Sequence, residues 1–391
     1  MTSFLDKHLL SAEALIKLYT GKEPFHLYLK KHFSANKKYG SKDRKNITHF
    51  CYCYFRMGGL AKTMPIADAI KTSIWLSSTQ WNNYLQHWFP DKEAYATASI
   101  TEKWAIAGLA ESISNLWPFV AALSEQVNKQ LLSLSHLQQP DLFIRCRKNK
   151  QTIVEKKLEQ AGVTFEKVHT MGLRLLPNIP VDNCLAIDKE VVIQDLSSQK
   201  ISDFFTLIHW QQPVISVWDS CAASGGKSIL AADFLPKLQL AVSDIRASIL
   251  QNLQKRLTTA GVNVHFCFTA DLTKTATIPF EQSSVDLVIC DVPCSGSGTW
   301  SRNPENLLFF DEANLQEYHE KQVAIAKNVW PYVKKGGYLL YSTCSVFAIE
   351  NEAVVQAITA KFADAQLIKA ALIEGYTLKA DTLFGALLQK I

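Results

Sequence analysis

The sequence predicts an α/β fold: a mostly parallel sheet covered by helices from about residue 201 onward, preceded by a small α/β module and an all-α segment. Three observations carry this. Beyond residue 201, short apolar runs alternate with helix-length segments, the pattern of a parallel sheet. Between about 139 and 200 the runs are shorter and enclose a single helix. Up to residue 138, apolar residues recur at helical spacing. The expected division is therefore 1–138, 139–200 and 201–391.

Taken in order, Leu9, Leu10, Ala14, Leu15 and Leu18 repeat at helical spacing. Ser41-Lys42-Asp43-Arg44 reads as a helix start leading into Ile47, Phe50, Cys51 and Tyr54, and Thr101-Glu102-Lys103-Trp104 opens another helix. Trp75, Trp81, Trp88, Trp104 and Trp117 read as core or helix-packing residues. Near Pro140 the pattern changes. Residues 142–147 read as a strand, 152–161 as a helix ended by Gly162, and 173–176, 184–187 and 191–193 as short strands. Further on, strands are expected at 214–218, 238–242, 264–268, 285–289 and 337–341, and helices at 227–234, 247–260 and 315–333. No internal repeat or low-complexity segment interrupts this order.

A length of 391 residues suits two or three domains, and an apolar content of 48% suits a sizeable core. The net charge of +5 is too small to prove a nucleic-acid partner, so its distribution matters more. Lys30, Lys31, Lys37, Lys38, Lys42, Arg44 and Lys45 form one basic cluster; Arg145, Arg147, Lys148, Lys150, Lys156 and Lys157 form another. Either alone reads as a solvated face, but two clusters upstream of the α/β segment favour phosphate contact. No apolar run reaches membrane-spanning length. Lys7 and His8 break the first apolar stretch, which argues against a signal peptide. The nine cysteines are odd in number and irregularly spread, which predicts free thiols in a reducing cytoplasm. Cys51-Tyr52-Cys53 has the wrong spacing for a zinc knuckle and reads as core filling, so no metal is expected.

Three segments carry chemistry. Asp291-Val292-Pro293-Cys294 and Ser342-Thr343-Cys344 each follow a strand-like run. Two thiols at the mouths of two strands, one beside a carboxylate, suit covalent chemistry on a pyrimidine ring. The third segment is the glycine turn Cys221-Ala222-Ala223-Ser224-Gly225-Gly226-Lys227, between a strand and a helix. Such a turn presents backbone N–H groups at a strand's C-terminal end. A triphosphate loop would need glycine where Cys221 stands, and the dinucleotide fingerprint is absent. What remains is a nucleoside bound without a triphosphate. Asp244, after the second strand, can accept both ribose hydroxyls, and Asp271, after the third, an adenine amino group. Together they describe an S-adenosylmethionine site. Each alone also reads as a loop acid or cap, and for Asp271 the turn-capping reading is strong. Lys227 is placed to contact the methionine carboxylate or the catalytic face; a plain surface cation is disfavoured at a helix start.

Taken together, these segments resemble the RNA 5-methylcytosine methyltransferases of the RsmB/NOL1/NOP2/Sun family over roughly residues 140–391. The resemblance includes Gln194-Asp195-Leu196-Ser197-Ser198-Gln199, Asp219 to Lys227, Asp291 to Gly298, Ser342 to Ser345 followed by Glu350-Asn351, and Asp381 to Leu387. More weakly, the N-terminal part is similar to the NusB-like helical RNA-binding domain of the bacterial 16S rRNA branch, and the middle module looks like the family's RRM-like segment. Ser224 stands where the family usually has proline, Thr382 where it usually has glycine, and Asn303 where a basic or other polar residue is usual. The resemblance implies a Rossmann-like S-adenosylmethionine-dependent methyltransferase domain with Cys344 as the nucleophile at cytosine C6, Cys294 in product release, and Asp291 against the cytosine edge near N3 and bordering the cofactor. In the DNA-directed relatives the Pro-Cys thiol is the nucleophile, so spacing alone leaves the two roles exchangeable. The implied partner is RNA, ribosomal first and transfer second, engaged by a monomer without membrane contact. A non-catalytic RNA-binding protein that kept the fold, and a methyltransferase of proteins or small molecules, are the rival readings.

Overall fold

The computed structural model describes residues 3–109, 113–210 and 212–391. It groups into two compact units: residues 1–121, 128–139 and 299–312 in one, and residues 122–127, 140–298 and 313–391 in the other.

In the first unit, helices Phe4–Leu18, Phe25–Ala35, Ser41–Arg56, Ile66–Ser77 and Ile100–Ile106 pack around Phe25, Ile47, Phe50, Phe55 and Trp75, all buried. Local signals set the starts. Ser99 Oγ accepts from Glu102 N (3.2 Å), and the Glu102 carboxylate accepts from Ser99 N (2.8 Å), a reciprocal cap. Cys51 and Cys53 lie in this core, as expected of filler. Trp75, Trp104 and Trp117 are buried too; Trp117 stacks on Trp300 at 5.2 Å between centroids. Arg56, also buried, donates to the carbonyls of His136 (3.0 Å), Gln138 (2.7 Å) and Ser301 (3.0 Å). These bonds tie residues 128–139 and 299–312 to the long third helix.

The second unit holds two sheets. The smaller is antiparallel, made of β1 (Leu142–Cys146), β2 (Phe165–His169), β3 (Gly172–Leu175) and β4 (Val191–Ile193) in the order β2-β3-β1-β4. Two details differ from the sequence expectation. The strand expected at 184–187 does not form: a short 3-10 turn, Val181–Asn183, precedes it, and Asp188 follows in a left-handed conformation (φ 64°). Conversely, β2 escapes an apolar-run search because it lies at the sheet edge and exposes Glu166 and Lys167. The basic cluster is corrected as well. Arg145 is fully buried and pairs with Asp233, while Arg147 Nε donates to the same carboxylate (2.9 Å). Neither guanidinium is offered to a phosphate.

The larger sheet comprises β5 (Val214–Asp219), β6 (Lys237–Asp244), β7 (Val264–Thr269), β8 (Val285–Asp291), β9 (Val333–Thr343), β10 (Ala365–Ile373) and β11 (Leu383–Lys390). Its order is β10-β11-β9-β8-β5-β6-β7. Strands β5 to β9 run parallel, and β11 lies antiparallel between β9 and β10. The central runs bury both faces, with Leu287, Val288, Ile289, Leu339 and Leu340 inaccessible, as a sheet flanked by helices requires. The helix before β9 stops at Val329 because Pro331 cannot continue it, so β9 begins at Val333 rather than 337. The chain winds outward from β5 through β6 to β7, then returns to place β8 on the other side of β5. That reversal opens a crevice at the C-terminal ends of β5 and β8. Among the described residues no helix is long and apolar enough to cross a membrane.

Candidate active site

The glycine turn leaves β5 at Asp219 and enters the helix Gly226–Phe234. Its path needs two left-handed residues, Ala223 (φ 45°) and Gly225 (φ 82°). A Cβ on Gly225 would also fall 2.3 Å from Leu253 Cδ1, so glycine is required there by conformation and by space. The turn is pinned from three sides. Ala222 N donates to Ser243 O (2.9 Å), Ala223 N to Asp244 Oδ2 (3.1 Å), and Arg256 Nη1 to Ser224 O (2.9 Å).

A cavity of about 350 Å³ opens beside the turn. Its wall includes Cys221, Ala223, Asp244, Asp271, Asp291, Cys294 and Cys344. A second, polar cavity of about 250 Å³ is lined by Ala222, Ala223, Ser224, Gly226 and Lys227 together with Asp219, Gln194 and Asp291. Both cavities share Ala223 and Asp291. Gly225 lines neither and contributes through backbone shape alone.

Asp244 is buried and accepts from the backbone and side chain of Arg246. Burial pushes its carboxyl pKa up, but these bonds and that of Ala223 outweigh burial and hold it below the ordinary value. Asp271 Oδ1 accepts from Thr273 N (3.1 Å) and Thr273 Oγ1 (2.6 Å). It therefore caps its own turn, the bond to Thr273 lowering its pKa, while still facing the cavity. Asp219, the last residue of β5, joins these acids. It is buried, receives Ser228 Oγ at Oδ2 (2.6 Å), and has no partner at Oδ1. Burial raises its pKa to about 7. A buried carboxylate oxygen without a donor suits an ammonium group. An apolar wall at Ile245 and Leu272, flanked by the two acids, suits a nucleoside. The residues present thus fit S-adenosylmethionine.

The thiols meet. Cys294 Sγ lies 3.3 Å from Cys344 Sγ, both half-buried and both in the cavity wall. The hydrogen bond with Cys344, then burial and nearby negative charge, raise the Cys294 pKa well above its ordinary value. Cys344 therefore opens onto the glycine-turn cavity. Asp291 is held at both oxygens: Ser342 Oγ donates to Oδ1 (2.8 Å), and Lys227 Nζ lies 2.7 Å from Oδ2. For Lys227 burial lowers the pKa, but the Asp291 carboxylate overcomes it and the net shift is upward. Sequence reading missed this ion pair, which joins the first turn of the helix after β5 to the end of β8. Cys221 lines the cavity as a thiol, its pKa raised well above normal by burial.

Residues 209–385 match the family described as 16S rRNA methyltransferase RsmB/F. The ribosomal RNA small subunit methyltransferase B of Xanthomonas campestris is 31% identical over 217 residues, covering 54% of this chain and 48% of that protein. Its counterpart from Serratia proteamaculans is 27% identical over 237 residues, covering 59% of this chain and 54% of that protein. The chain thus spans about half the length of the curated relatives it matches. Among solved structures, PH0851 aligns with a TM-score of 0.72 at 17% identity over 99% of both chains. A methyltransferase homolog protein from Pyrococcus horikoshii aligns with a TM-score of 0.58 at 20% identity, covering 73% of this chain and 97% of that one. At such identities the structural likeness shows the fold.

Proposed function

We propose, from the premise that residues 209–385 belong to the RsmB/F rRNA methyltransferase family, that the protein methylates C5 of cytosine in RNA, ribosomal RNA first. The observation that carries the reading is the pair of thiols 3.3 Å apart on the wall of the glycine-turn cavity. S-adenosylmethionine, when bound, supplies an electrophilic methyl group.

Cytosine C5 is a poor nucleophile while the ring is aromatic. Addition of the Cys344 thiolate at C6 makes the ring enamine-like and C5 nucleophilic. A proton shared between N3 and the Asp291 carboxyl, itself fixed by Ser342 and Lys227, neutralises the negative charge that the addition puts on the ring. After methylation C5 must lose its proton before Cys344 can leave. Here the coupling of the thiols gives an order of events. The hydrogen bond with Cys344 and burial hold Cys294 protonated before the addition step. Once Cys344 is bonded to C6 that restraint is gone, so Cys294 can lose its proton to solvent and, as a thiolate, take the C5 proton; the C5–H electron pair re-forms the C5–C6 double bond as the Cys344–C6 bond breaks. The target base must be unpaired or flipped to reach both sulfurs. The roles proposed for the rest of the chain are RNA binding by residues 1–138 and an RRM-like module over 139–200.

The test uses RNA and cofactor labelled in the methyl group. Wild type transfers label to RNA in a product that RNase destroys; Cys344→Ala shows neither transfer nor adduct; Cys294→Ala accumulates a covalent protein–RNA adduct on a denaturing gel. The adduct forming in Cys344→Ala but not in Cys294→Ala would exchange the two roles. RNase-resistant label would move the activity to another substrate class, and no label at all would leave a binding protein.

A further inference from the structure

Glu350 is fully buried and lies between β9 and the helix Glu352–Lys361. Its Oε1 accepts from Ser295 N (2.8 Å) and Gln322 Nε2 (3.0 Å), and its Oε2 accepts from Ser295 Oγ and Ser345 Oγ. All four donors are neutral. Ser295 is the residue after Cys294, and Ser345 is the residue after Cys344. One carboxylate therefore grips the two sites of the chain that carry the thiols.

The surrounding bonds extend this clamp. Gln322 Nε2 also donates to Pro293 O (2.9 Å), on the other side of Cys294. Ser297 Oγ lies 3.1 Å from Ser345 Oγ and accepts from Val346 N (2.9 Å). Backbone bonds from Val292 N to Ser342 O (3.1 Å) and from Gly298 N to Cys344 O (2.9 Å) fix the two ends of the first loop. Glu350 fixes its middle, where Cys294 sits. Burying a carboxylate is costly unless several donors satisfy it, and here they do so only if both loops hold their places. We propose that Glu350 is a positioning residue that sets the separation of the two thiols, acting through Ser295 and Ser345. The assignment rests on the reading of Cys294 and Cys344 as the reacting pair. In Glu350→Gln the amide oxygen can still accept from Ser295 N and Gln322 Nε2, but the amide nitrogen cannot accept from Ser295 Oγ and Ser345 Oγ, so the clamp loses its charge and both of the hydroxyl bonds made to that charge while shape is kept.

Two readouts test this in the full chain. The first needs no RNA: a diazene oxidant such as diamide takes two electrons and two protons from the thiols, becoming a hydrazine as the Cys294–Cys344 disulfide forms, and mass spectrometry follows the rate. The second is methyl transfer to RNA, with the dissociation constant for S-adenosylmethionine measured separately by calorimetry. Glu350→Gln is expected to slow disulfide formation and to lower kcat, each at least tenfold, with cofactor affinity within twofold of wild type. The double variant Ser295→Ala with Ser345→Ala leaves the carboxylate its backbone and Gln322 donors, and is expected to behave likewise should Glu350→Gln fold poorly. An unchanged disulfide rate in either folded variant overturns the assignment, as does a parallel tenfold loss of cofactor affinity, which marks general disorder. Wild-type protein that forms the disulfide rapidly yet methylates no RNA counts against the proposed function, not against the clamp.

Discussion

Asp219 shows what one buried carboxylate does to a stability profile. Its pKa is raised from an ordinary 3.8 to about 7 by burial, so the folded protein binds a proton that the unfolded chain has released over that range. Stability from this group is therefore full below pH 4 and is lost as pH rises toward 7, the reverse of the usual carboxylate case. Asp219→Asn keeps a side-chain acceptor for Ser228 and removes the titration. Relative to wild type, the variant is expected to gain stability between pH 5 and pH 8, by up to about 4 kcal/mol were the whole shift realised. Urea unfolding at both pH values measures it, and a gain independent of pH would contradict the account. At this scale the sequence revealed residue types but not partners. Cys294, Cys344, Asp291 and Asp244 stand out because a thiol or acid after an apolar run is conspicuous. The Lys227–Asp291 pair and the bonds of Glu350 are invisible along the chain, since they join positions 64 and 55 residues apart at their widest.

At the scale of elements, the parallel strands were legible because each is a run of Val, Ile and Leu long enough to cross a buried sheet. β2 was not, since an edge strand with one exposed face leaves little apolar signal. Arg145 in β1 and Arg147 just after it were misread for a related reason: a basic cluster in sequence says nothing of a carboxylate on a distant helix. Asp233, on the helix after the glycine turn, ion-pairs with both Arg145 and Arg147. Asp233→Ala would leave the Arg145 guanidinium buried and unpaired, and is expected to cost roughly 3–5 kcal/mol. Denaturant unfolding checks this. A loss below 1 kcal/mol would mean that water or Gln194 satisfies the charge.

At the scale of the whole molecule, chain order and unit order disagree. Residues 299–312 leave the α/β unit and complete the helical one, where Trp300 stacks on Trp117 and Glu305 accepts from Phe25 N (3.3 Å). Nothing in the sequence marks this excursion, because the partners of Trp300 and Glu305, Trp117 and Phe25, lie far back along the chain. A fragment of residues 1–139 lacks those partners. It is expected to melt at least 10 °C below the helical transition of the full chain and to show red-shifted tryptophan emission; equal melting points would refute the dependence. The place of β11 has a consequence of another kind. It sits inside the sheet, between β9 and β10, yet is made after both. At synthesis rates of about 5–20 residues per second, a nascent chain carries β9 with one edge bare for roughly 2–10 s before its neighbour exists. Until then that edge of β9 has no partner from its own chain and can template a passing strand, an exposure that the finished sheet no longer shows.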